Sequence, residues 1–326
     1  MSKFEPRVLS VVPGLPIGYS MIFARNQIAT LERLGVISRT FFLLSRTSPR
    51  TIFSDAVRFR REVASFRPHI IHAHYGTVTA LFCALLTRVP LVITYQGSDL
   101  NPFWNSNPLR PPAGRMMSQL AALRAAGIIC VSQQLKHRLW WNRAIVKVIP
   151  SGVDHTVFHP IPKLEARAQC GWPEDAKIVI SSAGTDPIHK RLPLAEEAVH
   201  VAESFCGKIK FVILDGKMDQ KTVAVMFNAS DCFLLTSSSE GSPNVIKEAL
   251  ACHLPVVSVD VGDVRERLRH VFPSKVVGEN PQHLGEALAE ILRMGSRSIG
   301  SDVTVDLSAE RVAAKVLVLY REIAGR

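Results

Sequence analysis

The first half of the chain alternates short apolar runs with segments whose apolar residues recur every three or four positions. An apolar run bounded by Gly, Pro or small polar residues is typical of a buried strand, and the longer spacing is typical of a helix that covers a sheet. The runs that predict strands are Arg7–Pro13, Thr40–Leu44, Ile70–Tyr75, Leu91–Tyr95, Ile128–Val131 and Val146–Ile149. The spacing predicts helices over Ser20–Leu34 and Phe53–Phe66.

The second half repeats this alternation. Its predicted strands are Lys177–Ser182, Ile209–Leu214, Cys232–Leu235, Pro255–Val259 and Lys275–Val277. Residues 160–175 predict a linker, because their prolines lie in a polar setting. Ser308–Ile323 predicts a final amphipathic helix. The pattern therefore predicts an α/β protein of two Rossmann-like domains, residues 1–160 and 161–307, each with a parallel sheet.

Length and composition agree with a globular protein of two domains, since 326 residues suffice for two of ordinary size. The six cysteines show no C-x-x-C pair, which favours buried, reduced thiols in a cytoplasmic protein. We expect no signal peptide, because Glu5 and Arg7 interrupt the N-terminal stretch. The longest apolar stretch, Val78–Leu86, is too short to span a bilayer.

The densest chemistry lies in residues 232–268, which read as strand, loop, helix and strand. Ser242 and Pro243 predict an N-cap followed by proline at the first helical position, and Asn244–Cys252 predicts the helix. Glu240 precedes the helix N-terminus, where free N–H groups favour an anion. Glu248 lies four residues after Asn244, so the two share a helix face.

This arrangement suits a ligand with a diphosphate and a sugar on each side. The diphosphate would bind N–H groups near Asn244 and Val245, a ribose diol would bind Glu248, and a second sugar would meet Glu240. The alternative is that both glutamates are ordinary solvated residues. The small residues, Pro243 and the following strand favour the ligand interpretation.

The segment EGSPNVIKEALACHLPVVSVDVGDVRE, which starts at Glu240 and Gly241, resembles the signature of the group 1 (family 4) retaining glycosyltransferases. The resemblance implies two Rossmann-like domains facing each other across a cleft. It implies that Glu240 binds hydroxyls of the donor sugar and that Glu248 binds the ribose of a UDP- or GDP-sugar. It also implies that a C-terminal helix, residues 308–326, packs back on the first domain. His253 departs from the pattern, since the family has Gly there at the helix C-terminus.

Two further loops carry the resemblance on the donor side. In AGTDPIHKR, Gly184 and Lys190 match the family's diphosphate loop, Thr185 replaces its Arg, and Arg191 follows Lys190. We infer that Lys190 and Arg191 share the clamp on the diphosphate, the alternative being plain solvent exposure. In PGLPIG, the loop after the first predicted strand, Gly14 would lie across the cleft from the donor phosphates.

Polar clusters follow three strands of the first domain, where ligands bind parallel sheets. PLVITYQGSDL resembles the family pattern, with Gln96 in place of a His, so this position can hydrogen-bond but not transfer a proton. Asp99 is a candidate for holding an acceptor hydroxyl, and an Asx-turn or helix cap is the alternative. His72 and His74 face one side of a strand, and we expect them to line the cleft rather than to bind a metal.

These observations predict a retaining glycosyltransferase that moves a sugar, a hexose by type, from a nucleotide-sugar to a glycan or lipid-linked acceptor. Cell-surface polysaccharide or glycolipid synthesis would be its setting. No D-x-D pair is present, so we expect no obligatory metal and no cofactor. Two alternatives stay open: a catalytically inactive nucleotide-binding relative and a sugar-nucleotide epimerase.

Charge is unevenly distributed along the chain, whose net charge is +11. Residues 1–163 carry 20 Lys and Arg against 6 Asp and Glu, and residues 164–326 carry 19 against 22. The basic helix Phe53–Phe66 suits peripheral, salt-sensitive association with an anionic membrane on its cytoplasmic face. A core-facing helix with a solvated basic face, or a soluble polyanionic acceptor, would also explain it. We expect no nucleic-acid partner, because no nucleic-acid motif accompanies the charge; the sequence predicts no oligomeric state.

Overall fold

A computed structural model describes residues 5–18, 20–102, 109–141, 145–184 and 186–325. The chain forms two compact units. The first consists of Met1–Gly152 and Ala309–Arg326, and the second of Val153–Ser308. The first boundary thus precedes the one predicted after residue 160, because Val153 and Phe158 are buried in the core of the second unit.

The first unit is built on a six-stranded parallel sheet with the order β2-β1-β3-β4-β5-β6. Its strands are β1 (Arg7–Pro13), β2 (Ile37–Leu43), β3 (Ile70–Ala73), β4 (Leu91–Tyr95), β5 (Gly127–Cys130) and β6 (Ile145–Val148). Its helices are α1 (Ile22–Arg33), α2 (Pro49–Phe66), α3 (Thr77–Leu86), α4 (Arg110–Ala122), α5 (Gln133–His137) and, from the end of the chain, α13 (Ala309–Ala324). Every residue of β3, β4 and β5 is buried, as expected for parallel strands covered on both faces.

The second unit is built on a five-stranded parallel sheet with the order β11-β10-β9-β7-β8. Its strands are β7 (Lys177–Ser182), β8 (Ile209–Leu214), β9 (Cys232–Leu235), β10 (Val256–Val259) and β11 (Lys275–Val277). Its helices are α6 (Lys163–Cys170), α7 (Leu192–Cys206), α8 (Gln220–Ala229), α9 (Asn244–Ala251), α10 (Val264–Leu268), α11 (Pro281–Met294) and α12 (Gly300–Thr304). Both units are therefore Rossmann-like, and the predicted α/β fold class is confirmed.

The last helix, α13, belongs to the first unit although the second unit precedes it in sequence. Val316 and Tyr320 are fully buried and pack in one cluster with Val8 and Ile70 of β1 and β3. The three-and-four spacing of apolar residues in α13 thus covers one face of the first sheet.

The prediction of a linker over residues 160–175 is wrong. This stretch contains α6, which starts after Pro162 and ends at Gly171 in the left-handed conformation. Arg167 of this helix is 1% exposed and donates hydrogen bonds to Ala229 O and Asp231 Oδ2, at 3.0 and 2.9 Å. Arg167 is therefore part of a packed layer, because a distant segment supplies the acceptors.

Helix α2, whose basic character suggested a membrane surface, packs part of its apolar side on the first sheet. Phe59 and Phe66 are buried in the core, whereas Phe53 and Val57 are exposed. Part of the apolar face is thus core-facing, and association of this helix with a membrane stays a prediction. No helix in the described ranges is both long and apolar enough to cross a bilayer.

The strand orders locate the places where ligands can bind. In each sheet the order reverses direction once, between β1 and β3 in the first unit and between β7 and β9 in the second. Loops leaving the carboxyl ends of neighbouring strands separate at such a point and leave a crevice. The predicted donor residues follow β7 and β9, except Gly14, which follows β1.

Candidate functional site

The loops after β7 and β9 are joined to each other by hydrogen bonds. The Thr236 hydroxyl donates to Lys190 O at 2.8 Å, and Ser238 N donates to His189 O at 2.9 Å. These bonds set the backbone of the Lys190 loop against the strand end that leads to Glu240. Two segments some fifty residues apart in sequence thereby form one surface.

Lys190 and Glu240 form an ion pair on this surface. Lys190 Nζ lies 2.5 Å from Glu240 Oε1, and the two side chains are 21% and 16% exposed. The sequence predicted a diphosphate contact for Lys190 and a sugar contact for Glu240, and the structure brings these two groups together. A partly buried cation beside a carboxylate can exchange its partner for a phosphate while the carboxylate accepts hydroxyl hydrogens.

Arg191 differs from the prediction that it shares the diphosphate clamp. Its guanidinium donates to Thr236 O at 2.5 Å and to Ser237 O at 3.1 Å, and it pairs with Glu279 at 2.6 Å. These bonds occupy the planar donor fork within its own unit. Arg191 therefore holds the Lys190 loop in place, and its contact with a diphosphate stays a prediction. Thr185 lies outside the described residues, and Gly184 adopts φ 54° beside it.

Helix α9 begins at Asn244, and Ser242 does not cap it. The cap position is Pro243, and no side chain in the described residues caps the helix. Ser242 Oγ instead donates to Asp263 Oδ2 at 2.9 Å, in the loop after β10. The prediction of a Ser242 cap is therefore wrong, because a tertiary acceptor competes for the hydroxyl. The N–H groups near Asn244 and Val245 remain suited to an anionic oxygen.

A buried polar network, which the sequence analysis did not predict, supports the loop that carries Glu240 and Gly241, called the donor loop below. Asp263 Oδ2 also accepts from Arg267 Nε at 2.9 Å, and Lys247 Nζ lies 3.3 Å from Ser242 Oγ. Asp263 and Lys247 are 7% and 1% exposed. One sequence signal was available: Lys247 is a charged residue on the otherwise apolar buried face of α9.

Gly262 brings this supporting loop into contact with the donor loop. A Cβ atom at Gly262 would lie 2.7 Å from Gly241 O, and its φ is 60°. A residue without a side chain is thus required on both steric and conformational grounds. The approach fixes the backbone of Glu240 and Gly241.

Glu248 and Lys247 carry opposite pKa shifts at adjacent positions of α9. Burial raises the pKa of Glu248 to about 7, and the Lys247 ammonium partly opposes that rise. Burial lowers the pKa of Lys247 to about 8, against the attraction of Asp263. Glu248 and Asn244 are both half-buried on the helix face that the sequence predicted they share. The carboxyl therefore changes charge near neutral pH, where a diol ligand would require the ionised form.

Asp99 is not accessible to an acceptor in the first unit. The side chain is 0% exposed and accepts from the N–H groups of Gly76, Gln96 and Gly97 at 2.9–3.1 Å. Burial raises its pKa, and these hydrogen bonds oppose the rise. The structure corrects the acceptor-hydroxyl assignment in favour of the turn alternative: Asp99 ties the loop after β4 to the loop after β3. The side chain of Gln96 is half-buried.

His74 is likewise buried rather than exposed at a cleft surface. It is 0% exposed, and its ring lies 3.9 Å, centroid to centroid, from that of His72. Burial lowers the pKa of His74 to about 3, so the ring is neutral. His72 contacts the hydroxyls of Tyr320 and Thr94 at 2.6 and 2.7 Å. The expectation that both histidines line a cleft is corrected, since each is enclosed within the first unit.

Gly14 lies at the end of β1 with φ 109°, and its N–H donates to Leu43 O at 2.9 Å. The prediction that it faces the donor phosphates stays a prediction. Among the described residues no cluster of three or more His, Cys, Asp or Glu is arranged to hold a metal ion.

Two protein families match the chain in consecutive, overlapping segments. "Glycosyltransferase Family 4" matches residues 19–157, and "Glycosyl transferases group 1" matches residues 142–294. The first match covers most of the first unit, and the second covers most of the second unit with its donor loops.

Individual relatives agree with these matches. A putative teichuronic acid biosynthesis glycosyltransferase, TuaC of Bacillus subtilis, is 25% identical over 75% of this chain and 67% of its own length. Sucrose-phosphate synthase from Thermosynechococcus elongatus superposes with a TM-score of 0.79 at 17% identity, covering 98% of this chain and 99% of that one. Anabaena Alr3699/HepE in complex with UDP and glucose superposes with a TM-score of 0.73 at 16% identity, covering 98% and 100%.

Three observations agree on one assignment. The chain has two Rossmann-like units, its E-G-x-P-x-x-x-x-E segment starts a helix beside the Lys190 loop, and glycosyltransferase families match both units. The chain belongs to the group 1 glycosyltransferases and is a transferase enzyme.

Proposed function

We propose that this enzyme transfers a hexosyl group from a UDP- or GDP-sugar to a glycan or lipid-linked acceptor with retention of anomeric configuration. The observation that carries the proposal is the 2.5 Å pair of Lys190 and Glu240 beside the uncapped N-terminus of α9. The cation and the N–H groups there suit a diphosphate, and the carboxylate suits the hydroxyls of an adjacent sugar.

Each group has a role in the proposed reaction. Lys190 and the N–H groups of Asn244 and Val245 would stabilise the negative charge that develops on the departing diphosphate. Such preorganised donors contribute roughly 3–4 kcal/mol each to the transition state. Glu240 would hold the donor sugar, and Glu248, four residues into the helix, would bind the ribose diol. Arg191 would act as a positioning residue.

The bond changes follow from retention. The acceptor oxygen forms its bond to the anomeric carbon on the same face from which the diphosphate oxygen departs, and the acceptor proton passes to the departing phosphate. We propose no covalent sugar–enzyme intermediate, because no carboxylate has been assigned as a nucleophile on the opposite face.

Names of related proteins support the donor and the pathway. The Anabaena structure contains UDP and glucose, which supports a UDP-hexose donor. The B. subtilis relative is named for teichuronic acid biosynthesis, which supports a role in cell-surface polysaccharide synthesis. Membership of a transferase family favours sugar transfer over epimerisation and over nucleotide binding alone.

Association with a membrane is a separate part of the proposal. Arg58, Arg60, Arg61 and Arg67 are exposed on and after α2, and each basic residue near an anionic leaflet contributes about 1 kcal/mol. We expect salt-sensitive binding to the cytoplasmic face through this charge and not through the apolar face of α2. Liposome flotation with and without anionic lipid, at low and high salt, measures it, and equal, negligible binding to all liposomes would reject it.

A thermal-shift screen across UDP-, GDP-, ADP- and dTDP-sugars, followed by turnover assays, tests the main proposal. A bound donor raises the apparent stability, and the proposed function predicts a stabilising donor that is consumed with an acceptor. Nucleotide binding without turnover across candidate acceptors would identify an inactive relative. A free epimerised sugar made without acceptor would identify an epimerase.

A further inference from the structure

Two adjoining cavities of about 450 and 400 Å³ lie at the carboxyl edge of the first sheet, where the strand order reverses between β1 and β3. Four residues line both cavities, and we call the surface that they join the arginine groove: Arg46, Thr47, Tyr75 and Arg110. The position is one at which α/β sheets bind ligands, and neither arginine was a predicted site residue.

Among the residues that the structure describes, the two arginines of the groove have no acidic partner. Neither Arg46 nor Arg110 forms an ion pair within the described part of the chain, and both are exposed. No Asp or Glu is among the described residues that line either cavity. The nearby Asp99 is fully buried behind the wall, where backbone N–H groups satisfy it. The groove therefore presents uncompensated positive charge.

Contacts within the groove hold the Arg46 guanidinium and the Tyr75 hydroxyl in place. The Arg46 guanidinium lies over the Tyr75 ring, 5.3 Å from its centroid, and the Tyr75 hydroxyl contacts Ser98 Oγ at 2.6 Å. Stacking leaves the edge of a guanidinium free to bind two oxygens of one anion. Thr77 and Val78, the first residues of α3, line the same cavity, so the positive end of that helix adds to the field.

We infer that the arginine groove binds an anionic group, a phosphate or a carboxylate, carried by the sugar acceptor. This inference rests on the proposed function, which requires an acceptor, and it specifies the class of that acceptor. Thr47 and Ser98 supply hydroxyls for neighbouring sugar oxygens, and Val78 and Met117 supply an apolar wall. A neutral acceptor would leave both arginines without a counter-charge.

Calorimetric titration with glucose 1-phosphate, glucuronate and neutral glucose tests the inference. The variants are Arg46→Ala, Arg110→Ala and the double variant, with Arg50→Ala as matched control, since Arg50 is exposed near the groove without lining it. We expect at least one anionic probe to bind more tightly than glucose. Each groove substitution should weaken it by about tenfold, as loss of a charge-assisted hydrogen bond implies, and Arg50→Ala should leave it unchanged.

A Lys190→Ala variant separates this site from the donor site. The inference predicts that Lys190→Ala keeps the anionic probe, while the double variant of the groove keeps nucleotide binding. Equal affinity of the anionic probe for wild type and double variant would overturn the inference, as would equal losses in the double variant and Arg50→Ala, or no preference for an anion over glucose. If the wild-type protein neither binds a nucleotide-sugar donor nor turns it over, the proposed function is rejected instead. Preference for glucose 1-phosphate indicates a phosphorylated acceptor, and preference for glucuronate indicates an acidic sugar.

Discussion

Glu248 couples the stability of the protein to pH and to nucleotide binding. Burial raises its pKa from 4.5 to about 7. The folded protein thus keeps this proton to a higher pH than the unfolded chain does. The free energy of unfolding should therefore fall as pH rises from about 4.5 to about 7, and this contribution should change little above that range.

The size of the effect follows from the shift. One pKa unit corresponds to about 1.4 kcal/mol, so the shift from 4.5 to about 7 sets an upper limit of about 3.5 kcal/mol. The side chain is half-buried, and screening by solvent reduces the expected value to about 1–3 kcal/mol. Glu248→Gln removes the ionisation, so it should stabilise the ligand-free protein by that amount at pH 8 and by much less at pH 5.

The same substitution should weaken nucleotide binding if Glu248 holds the ribose diol. The ionised carboxylate accepts two charge-assisted hydrogen bonds, and losing that charge costs roughly 1–3 kcal/mol. Because only the ionised fraction binds well, wild-type affinity should improve about tenfold between pH 6 and pH 8, relative to the Gln variant. The wild-type affinity is divided by the Gln variant's affinity at each pH, because titration of the nucleotide phosphates affects both proteins equally.

Denaturant unfolding at pH 5 and pH 8, with calorimetry of the nucleoside diphosphate at pH 6 and pH 8, measures both effects. Glu248→Ala serves as the second variant and should bind nucleotide more weakly than Glu248→Gln. Unchanged nucleotide affinity in both variants would refute the ribose role. If wild type and Glu248→Gln differ in free energy of unfolding by the same amount at pH 5 and at pH 8, the raised pKa is refuted.

Three further predictions follow from the second unit. Glu240→Ala should lower turnover more than nucleotide affinity, whereas Lys190→Ala should lower both, because only the lysine would contact the diphosphate; near-native turnover of Glu240→Ala would contradict this. Asp263→Asn should lower the free energy of unfolding by about 1–3 kcal/mol and raise the donor KM, because the hydrogen bonds that hold Ser242 weaken; unchanged denaturation and kinetics would show that the network is dispensable. His253→Gly should be about 1 kcal/mol more stable than His253→Ala in thermal unfolding, since φ is 58° there and both variants lack the imidazole; equal melting temperatures would show that the left-handed backbone carries no strain.

Strand positions could be read from the sequence because the signal is local. The apolar runs at Leu91–Tyr95 and Lys177–Ser182 predicted β4 and β7 with the bounds that the structure has. Parallel strands are buried on both faces, so a continuous apolar run is sufficient to mark them. His253 adopts φ 58°, and it stands at the helix C-terminus where the resembling family has Gly, a position at which the left-handed conformation is common.

The donor residues could be predicted as a set, but their contacts could not. Lys190 and Glu240 are fifty residues apart, and only the packing of β7 against β9 places them 2.5 Å from each other. Ser242 and Pro243 carry a local cap signal, but Asp263 competes for the hydroxyl from another loop. A cap is a weak local preference, and a buried carboxylate nearby outweighs it.

Burial of polar groups was decided by the tertiary structure alone. Nothing local distinguishes Asp99, which is fully enclosed, from an exposed aspartate at a strand end; the N–H groups of Gly76 and Gly97 make the difference. The same holds for Arg46, which follows β2, and Arg110, which begins α4: they line the same cavities although they are far apart in sequence. Sequence periodicity reports which face of an element is apolar, whereas solvent access and charge pairing depend on segments far away in the chain.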